Sequence, residues 1–194
     1  MHENHFSKMN WFKNSFLSHY MQLNILDIGS LNNIDSDNYK LIFNVPNWNY
    51  VGLDIVEGNN VDIVVKDIYN FEEIENDSFD VVVSSYFFEY LKFYWKTMCE
   101  IKRILKKGGY VCIIVSSSVN NNRTTQSYNK FQKDDLIKLA YYFDFEVIHF
   151  SNFNESLGEF CLVLKDKGSN NHAFKQKLND LEEKIHYLNS CGFF

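Results

Sequence analysis

Hydrophobic residues along the chain occur in short runs, each ending at an acidic residue, a serine or a glycine, and this pattern predicts a series of buried strands. Five such runs lie at residues 23–28, 50–54, 61–65, 79–84 and 110–115. The runs are mostly apolar rather than strictly alternating, which is typical of strands covered by helices on both faces. Two further runs, 145–150 and 160–164, flank Gly158 and predict an antiparallel pair.

Helical spacing appears between the predicted strands. The N-terminal apolar residues recur every three or four positions, at Phe6, Met9, Phe12, Phe16 and Tyr20. A second helix is predicted over residues 90–106, ended by Gly108-Gly109, and a third begins at Asp134 and Asp135. Because strands and helices alternate, we predict an α/β fold with a largely parallel sheet.

The chain divides into three predicted parts. Residues 1–22 form a helical segment that could act as a lid, and residues 23–166 form the main domain. Residues 167–194 form a helical tail, in which apolar side chains follow a 4-3-4-3 spacing: Phe174, Leu178, Leu181, Ile185 and Leu188. This helix is predicted either to pack on the chain's own surface or to form a homodimer with a second copy, and the sequence does not distinguish the two.

Composition excludes several classes of function. The net charge is −6, which argues against nucleic-acid partners and against an anionic membrane surface. No apolar run is long enough to cross a bilayer, and the first residues lack a signal-peptide layout. The four cysteines are far apart in the sequence, so neither a disulfide nor a metal site is indicated. We therefore predict a cytoplasmic protein.

Polar residues collect at the predicted carboxyl ends of the strands. Asp27 and Gly29 lie at the end of the first strand, and Asp54 lies at the end of the second. Asp67 follows the third strand, and Ser84 and Ser85 end the fourth. In an open parallel sheet these ends meet where ligands bind. Carboxylates can accept hydrogen bonds from ribose hydroxyls or an exocyclic amine, which indicates a nucleoside ligand. Capping of a local turn is the alternative role for a lone Asp27 or Asp67.

Five motifs stand in order along the chain: Ile25–Gly29, Val51–Asp54, Asp67, Phe79–Ser84 and Glu100–Tyr110. With these motifs the chain resembles the class I methyltransferases that use S-adenosylmethionine (SAM), and most closely their type 11 small-molecule branch. The resemblance covers roughly Asn24 to Lys165. It implies a Rossmann-like sheet that is mostly parallel with an antiparallel last strand, helices on both faces, and SAM as cofactor.

The resemblance also implies roles for individual residues. Gly29 and Asp27 would face the amino-acid portion of SAM, Asp54 the ribose, and Asp67 with Ile68 the adenine. The full set of predicted cofactor-binding residues is Asp27, Gly29, Ser30, Asp54, Ile55, Asp67, Ile68, Ser84 and Ser85. The loop after the first strand departs from the family pattern, because Gly29 is followed by Ser30-Leu31-Asn32-Asn33 instead of further glycines.

Catalytic and acceptor-binding residues are less strongly indicated. A base is needed for an oxygen or a protonated amine acceptor, and the candidates are Tyr86 and Tyr90, which follow the fourth strand, and His19. The predicted substrate-binding residues are Tyr86, Arg123 and Tyr128. The alternative for the tyrosines is that they only pack against other aromatic residues. The alternative for His19 is a partly buried position on the helix face, and for Arg123 a solvated position in a loop.

The predicted function is methyl transfer to oxygen or nitrogen of a small polar metabolite. Candidate acceptors are a sugar or sugar nucleotide destined for a surface polysaccharide, and a phosphorylated amino alcohol such as phosphoethanolamine. A nicotinamide-dependent reductase would need a GxGxxG turn, which residues 27–33 lack. The other alternative is a catalytically degenerate protein of the same fold that serves as a partner subunit or binding module.

Overall fold

The structure, a computed structural model, describes residues 5–32, 39–117, 127–154 and 158–168, and its centre is a seven-stranded sheet. The strands are β1 Leu23–Ile28, β2 Trp48–Asp54, β3 Ile63–Val64, β4 Phe79–Ser85, β5 Leu105–Ser116, β6 Phe145–Asn154 and β7 Glu159–Asp166. The helices are α1 His5–Phe16, α2 Tyr39–Ile42, α3 Tyr94–Ile104 and α4 Lys133–Tyr142, with a short 3-10 helix at Phe88–Tyr90.

The sheet has the strand order β3-β2-β1-β4-β5-β7-β6. Every adjacent pair is parallel except those that include β7, which runs antiparallel to both β5 and β6. The chain builds outward from β1 through β2 to β3, and then returns to start β4 on the other side of β1. The order therefore switches between β1 and β4, and the carboxyl ends of these two strands are where a ligand is expected. The predicted fold class is confirmed.

Helices cover both faces of the sheet. On one face, Met9 and Phe12 of α1 are wholly buried with Ile25, Val81 and Cys112 of the strands. On the other face, α3 and α4 bury a second cluster that includes Met98, Ile101, Leu136 and Ala140. No helix within the described ranges is long and apolar enough to cross a membrane.

Helix α1 is anchored at its first turns as well as by its apolar side. The Lys8 side chain is wholly buried and forms an ion pair with Glu159 at the start of β7. Trp11 of the same helix contacts the ring of His149 on β6, with the ring centroids 4.6 Å apart. Helix α1 is thus part of the core, although its role as a lid stays a prediction. The predicted tail helix lies outside the described residues.

The glycine pair at 108–109 has a different role from the predicted one. The helix ends at Ile104, and β5 starts directly at Leu105, which pairs with Phe79 of β4. The register then shifts, and Gly108 has a φ of +75°. A Cβ on Gly109 would lie 2.8 Å from the Asp80 carbonyl oxygen. The pair therefore accommodates an irregularity within the strand rather than ending a helix.

A buried ion pair joins α3 to the end of β7. The side chains of Lys102 and Asp166 are both 0% exposed and bonded to each other, and Asp166 also accepts the Gly168 N–H at 2.8 Å. Removal of one partner would leave a buried charge without compensation. We expect Lys102→Met to lower the free energy of unfolding by about 3 kcal/mol, as measured by urea denaturation.

The matched control is Lys106→Met. Lys106 pairs with Asp80 at 2.8 Å, but its side chain is 39% exposed, so we expect a loss below about 1 kcal/mol. Equal losses for the two variants would contradict the structural assignment of Lys102 as a buried, desolvated charge.

Candidate active site

A cavity of about 210 Å³ lies at the carboxyl ends of β1 and β4, where the strand order switches. The residues that line it are His5, Asp27, Gly29, Ser30, Leu31, Asn32, Tyr39, Asn60 and Ser85. They come from α1, α2, two strands and two loops that are far apart in the sequence. Four of them, Asp27, Gly29, Ser30 and Ser85, are among the predicted cofactor-binding residues. The structure thus brings the predicted β1 and β4 residues together.

The chain turns sharply at Gly29 when it leaves β1. Gly29 has a φ of +79°, and its N–H donates to the Leu53 carbonyl at 2.9 Å. The N–H of Ser30 donates to the same carbonyl at 3.1 Å. A Cβ on Gly29 would lie 2.4 Å from the ring of Phe87. Only glycine fits this turn, which leaves open backbone at the floor of the cavity.

Asp27 lies at the end of β1 and is 4% exposed. Its carboxylate accepts a hydrogen bond of 2.5 Å from the hydroxyl of Tyr50. Burial raises the pKa of Asp27 to about 7; the Tyr50 hydrogen bond opposes this rise and the charge of Asp54 adds to it. The carboxyl group therefore titrates near neutral pH, and a bound cation would stabilise its ionised form.

The carboxylate of Asp54 at the end of β2 holds two loops together. One oxygen accepts the N–H groups of Ile55 at 2.7 Å and Val56 at 3.3 Å, and the other accepts the N–H of Leu31 at 3.2 Å. Asp54 is 7% exposed. It therefore connects the turn after β1 to the segment after β2, directly beside the cavity.

Asn60 was not among the predicted residues. It has a φ of +67°, and its Nδ2 donates to the Ser30 carbonyl and to the Tyr50 hydroxyl, at 3.0 Å each. The hydroxyl of Ser30 donates back to the Asn60 carbonyl at 2.8 Å. The Oδ1 atom of Asn60 is buried without a hydrogen-bond partner among the described residues. Asn60 itself lines the cavity.

His5 and Tyr39 complete the cavity from the helical side. His5 Nδ1 lies 2.8 Å from the Tyr39 hydroxyl, which donates to Ser85 Oγ at 2.8 Å. Burial raises the pKa of Tyr39 well above its usual value, so the phenol keeps its proton. The sequence offered one signal for His5: it precedes Met9 by one helical turn and belongs to the same buried stripe.

Tyr86 follows β4 directly and has a φ of +51°, an unfavourable value for a non-glycine residue. Its N–H donates to the Ile114 carbonyl at 2.8 Å, and its hydroxyl donates to Glu159 at 2.5 Å. Burial raises the pKa of Tyr86, and the hydrogen bond to Glu159 raises it further. At neutral pH Tyr86 is therefore a hydrogen-bond donor, which does not suit a general base.

The other predicted cofactor residues do not line the cavity. Ser84 is buried behind Ser85, and its hydroxyl donates to the Ile28 carbonyl at 2.9 Å. Ile55 is exposed beside Asp54. Asp67 is exposed and caps its own turn, accepting the Tyr69 N–H at 2.9 Å.

Ile68 is buried in the hydrophobic core on the α3 side of the sheet. Its side chain is therefore not at the surface next to Asp67, where the adenine was predicted to lie.

The remaining predictions have mixed outcomes. His19 lies beside Trp48 at the start of β2, with the ring centroids 5.4 Å apart. Trp48 is at the amino-terminal edge of the sheet, opposite the cavity. His19 therefore does not lie at the cavity, contrary to its prediction as a catalytic residue. Tyr90 and Tyr128 are 45% and 67% exposed, and the Tyr128 N–H donates to the Glu89 carbonyl at 2.8 Å. Arg123 lies outside the described residues.

Comparisons with known proteins agree with the fold. A family model described as a methyltransferase domain matches residues 26–113. No curated protein matches the chain in sequence. A SAM-dependent methyltransferase from Aquifex aeolicus has a similar fold, with 13% identity and a TM-score of 0.63, over 82% of this chain and 89% of that one.

Two other solved structures are similar at the same level. The 1,6-didemethyltoxoflavin-N1-methyltransferase of Burkholderia thailandensis, solved with 1,6-didemethyltoxoflavin and S-adenosylhomocysteine, shares 16% identity with a TM-score of 0.59, covering 74% of this chain and 71% of that one. A Haloferax volcanii methyltransferase in complex with its activator Trm112 shares 15% identity with a TM-score of 0.60, covering 74% and 82%.

Proposed function

We propose that the chain is a class I SAM-dependent methyltransferase of the type 11 branch and that it transfers the methyl group of SAM to oxygen or nitrogen of a small polar metabolite. The methyltransferase-domain match over residues 26–113 and the shared fold support this proposal. The observation that supports this most directly is the cavity between the carboxyl ends of β1 and β4. Asp27 of β1, Gly29 of the turn after β1 and Ser85 of β4 line this cavity together.

The residues of the cavity fit SAM. Burial leaves the Asp27 carboxyl with a pKa of about 7, so the ammonium group of SAM would stabilise its charged form. Asn60 lines the same cavity, and the absence of a side chain at Gly29 allows close approach of the amino-acid portion. When bound, SAM supplies an activated methyl group on a sulfonium. The protein would then contribute mainly orientation and exclusion of water.

The proposal also assigns residues to the adenosine portion of SAM. Asp54 would accept from the ribose hydroxyls in addition to the three N–H groups it already holds, since a carboxylate has about four acceptor positions. Asp67, Ile68 and Ile55 would lie along the adenine, with the backbone of Ile68 rather than its buried side chain in contact. Tyr86, Tyr90 and Tyr128 are proposed to border the acceptor.

The acceptor is proposed from the charge of the site. Within the described residues the cavity lining includes one carboxylate, Asp27, and neither lysine nor arginine. This favours an uncharged hydroxyl-bearing acceptor, such as a sugar for a surface polysaccharide, over a sugar nucleotide or a phosphorylated amino alcohol, because both of these carry phosphate. A phosphate would depend on Arg123 for its countercharge.

Calorimetric titration with SAM and S-adenosylhomocysteine tests the donor site. We expect both to bind wild-type protein, and Asp54→Asn to weaken binding of each at least tenfold, because hydrogen bonds to a charged acceptor are worth about 1.5–3 kcal/mol. Asp80→Asn is the control, since Asp80 lies at the start of β4 on the opposite edge of the sheet. Absence of binding by the wild-type protein would refute the proposed function.

A second candidate is a catalytically degenerate protein that acts as a partner subunit. Its support is that the carboxylate of Asp54 already accepts three backbone N–H groups. A degenerate protein would fail to bind SAM in the titration above and would give no product with any acceptor.

A further inference from the structure

Three polar side chains form a continuous chain of hydrogen bonds that ends at the cavity. The Nδ2 atom of Asn60 donates to the Tyr50 hydroxyl at 3.0 Å, and this hydroxyl donates to Oδ2 of Asp27 at 2.5 Å. Tyr50 lies within β2, and Asp27 lies near the end of β1. Asn60 and Asp27 line the cavity, whereas Tyr50 does not. Tyr50 therefore connects two lining residues from behind.

The direction of both hydrogen bonds is fixed by the groups that make them. The Ser30 carbonyl can only accept, so the Asn60 atom that lies 3.0 Å from it is the amide nitrogen. The second N–H of this nitrogen points to the Tyr50 oxygen, which accepts it and gives its own single proton to Asp27. Burial raises the pKa of Tyr50, and the charge of Asp27 raises it further, so the phenol stays protonated. Tyr50 is thus a constant donor to Asp27.

Both donors are held in place by their surroundings. The ring of Tyr50 stacks on the buried ring of Phe43, with the centroids 6.1 Å apart and the planes at 19°. The backbone of Asn60 has a φ of +67°, a conformation that asparagine adopts more readily than most residues. Its carbonyl oxygen lies so close to β2 that a Cβ on Gly52 would be 1.8 Å away. Glycine at position 52 therefore lets the Asn60 segment lie against the strand that carries Tyr50.

We propose that Tyr50 is a positioning residue for SAM: its hydroxyl, directed by Asn60, holds the Asp27 carboxylate in place for the ammonium group of the amino-acid portion. This inference rests on the proposed function. Among the described residues, Tyr50 is the one hydrogen-bond donor to the Asp27 carboxylate, and it binds Oδ2. The other acceptor positions of the carboxylate remain for a ligand. Because Tyr50 does not line the cavity, its effect on SAM passes through Asp27.

The groups around Asp27 explain why this donor matters. Burial opposes ionisation of Asp27 and raises its pKa to about 7, and the charge of Asp54 at the end of β2 adds to the rise. The hydrogen bond from Tyr50 acts in the opposite direction. Tyr39 of α2 is neutral, and His5 of α1 is the one lining residue in the described ranges that can carry a positive charge. Without Tyr50, Asp27 would be largely neutral at pH 7 and would attract an ammonium group only weakly.

Calorimetric titration of the full chain at pH 7 with two ligands tests the proposal. S-adenosylhomocysteine carries the amino-acid portion, whereas 5′-methylthioadenosine has the adenosine and its sulfur without that portion. Tyr50→Phe should weaken binding of S-adenosylhomocysteine by about fivefold and leave binding of methylthioadenosine within about twofold of the wild type. Tyr110→Phe is the matched control, because Tyr110 lies near the amino-terminal ends of the parallel strands, and it should change neither affinity.

The titration midpoint of the Asp27 carboxyl gives a second measurement, which needs no ligand. Carbon-13 NMR of the side-chain carboxyl groups, assigned with Asp27→Asn, should show a midpoint of about 7 in the wild type and about one pH unit higher in Tyr50→Phe. Asn60→Gly keeps the positive φ and should raise the midpoint by a smaller amount. In the double variant it should add nothing to Tyr50→Phe, because Asn60 acts through Tyr50.

The outcomes separate this inference from the proposed function. Equal effects of Tyr50→Phe on the two ligands, an unchanged affinity for S-adenosylhomocysteine, or an Asp27 midpoint that does not rise would overturn the role of Tyr50. An additive effect of Asn60→Gly in the double variant would overturn the role of Asn60 as the group that directs it. Failure of the wild type to bind S-adenosylhomocysteine would instead refute the proposed function.

Discussion

Gly29→Ala is expected to abolish measurable SAM binding and to lower the free energy of unfolding by about 2–4 kcal/mol. The left-handed backbone at Gly29, with φ at +79°, costs an alanine about 1–2 kcal/mol. The new Cβ would also lie 2.4 Å from the Phe87 ring, which packs against the core on the α3 side. Either the turn opens or Phe87 moves. Both changes displace the backbone at the floor of the cavity.

Gly108→Ala is a matched control for the backbone cost alone. Gly108 has nearly the same φ, +75°, but a Cβ added there would have no other atom within 4 Å. We expect the variant to lose about 1–2 kcal/mol of stability and to bind SAM like the wild type. Urea denaturation and calorimetry measure both quantities. If the two alanine variants were equally stable and bound SAM equally well, Gly29 would have no special role in the site.

The inner part of the site was predictable from sequence because of how parallel strands are arranged. Their carboxyl ends lie at one edge of the sheet, so Asp27, Gly29 and Ser85 could be placed together from strand boundaries alone. The same logic does not reach residues beyond the strand ends. Asp67 lies past a strand of only two residues and is held in its own turn.

The helical side of the site depends on tertiary contacts that periodicity does not reveal. The apolar spacing of the N-terminal segment continues to Tyr20, but the helix ends at Phe16, and Tyr20 is fully exposed. His19 is therefore carried to the amino edge of the sheet, whereas His5, at the other end of the helix, reaches the cavity. The 34-residue separation between His5 and Tyr39 left no local signal for their contact.

Asp27→Asn is expected to weaken SAM binding at pH 8 and at the same time to stabilise the protein without ligand. Burial raises the Asp27 pKa from 3.8 in an unfolded chain to about 7. The folded protein then binds a proton more tightly than the unfolded chain, so the stabilising contribution of Asp27 is fully present below pH 3.8 and is lost as the pH rises to about 7. Asparagine keeps an acceptor for Tyr50 without the buried charge.

Each pKa unit corresponds to about 1.4 kcal/mol, so the loss of stability has a ceiling near 4 kcal/mol, and we expect about 2 kcal/mol of gain for the variant at pH 8. Urea denaturation at pH 4 and pH 8 measures it. The gain should shrink strongly at pH 4, where the wild-type carboxyl is already neutral.

Binding should follow the opposite course, because the ammonium group of SAM needs the ionised carboxylate. In the wild type, affinity should rise by about tenfold in total between pH 5 and 7 and then level off above the pKa of about 7, because the protonated carboxyl is neutral like asparagine. In Asp27→Asn it should be weaker by about tenfold or more at pH 7.5 and independent of pH over this window. A variant that is more stable but binds less would show that Asp27 is kept charged for the ligand at the expense of the fold. A flat wild-type profile, with unchanged stability in the variant, would show that Asp27 is an ordinary solvated carboxylate.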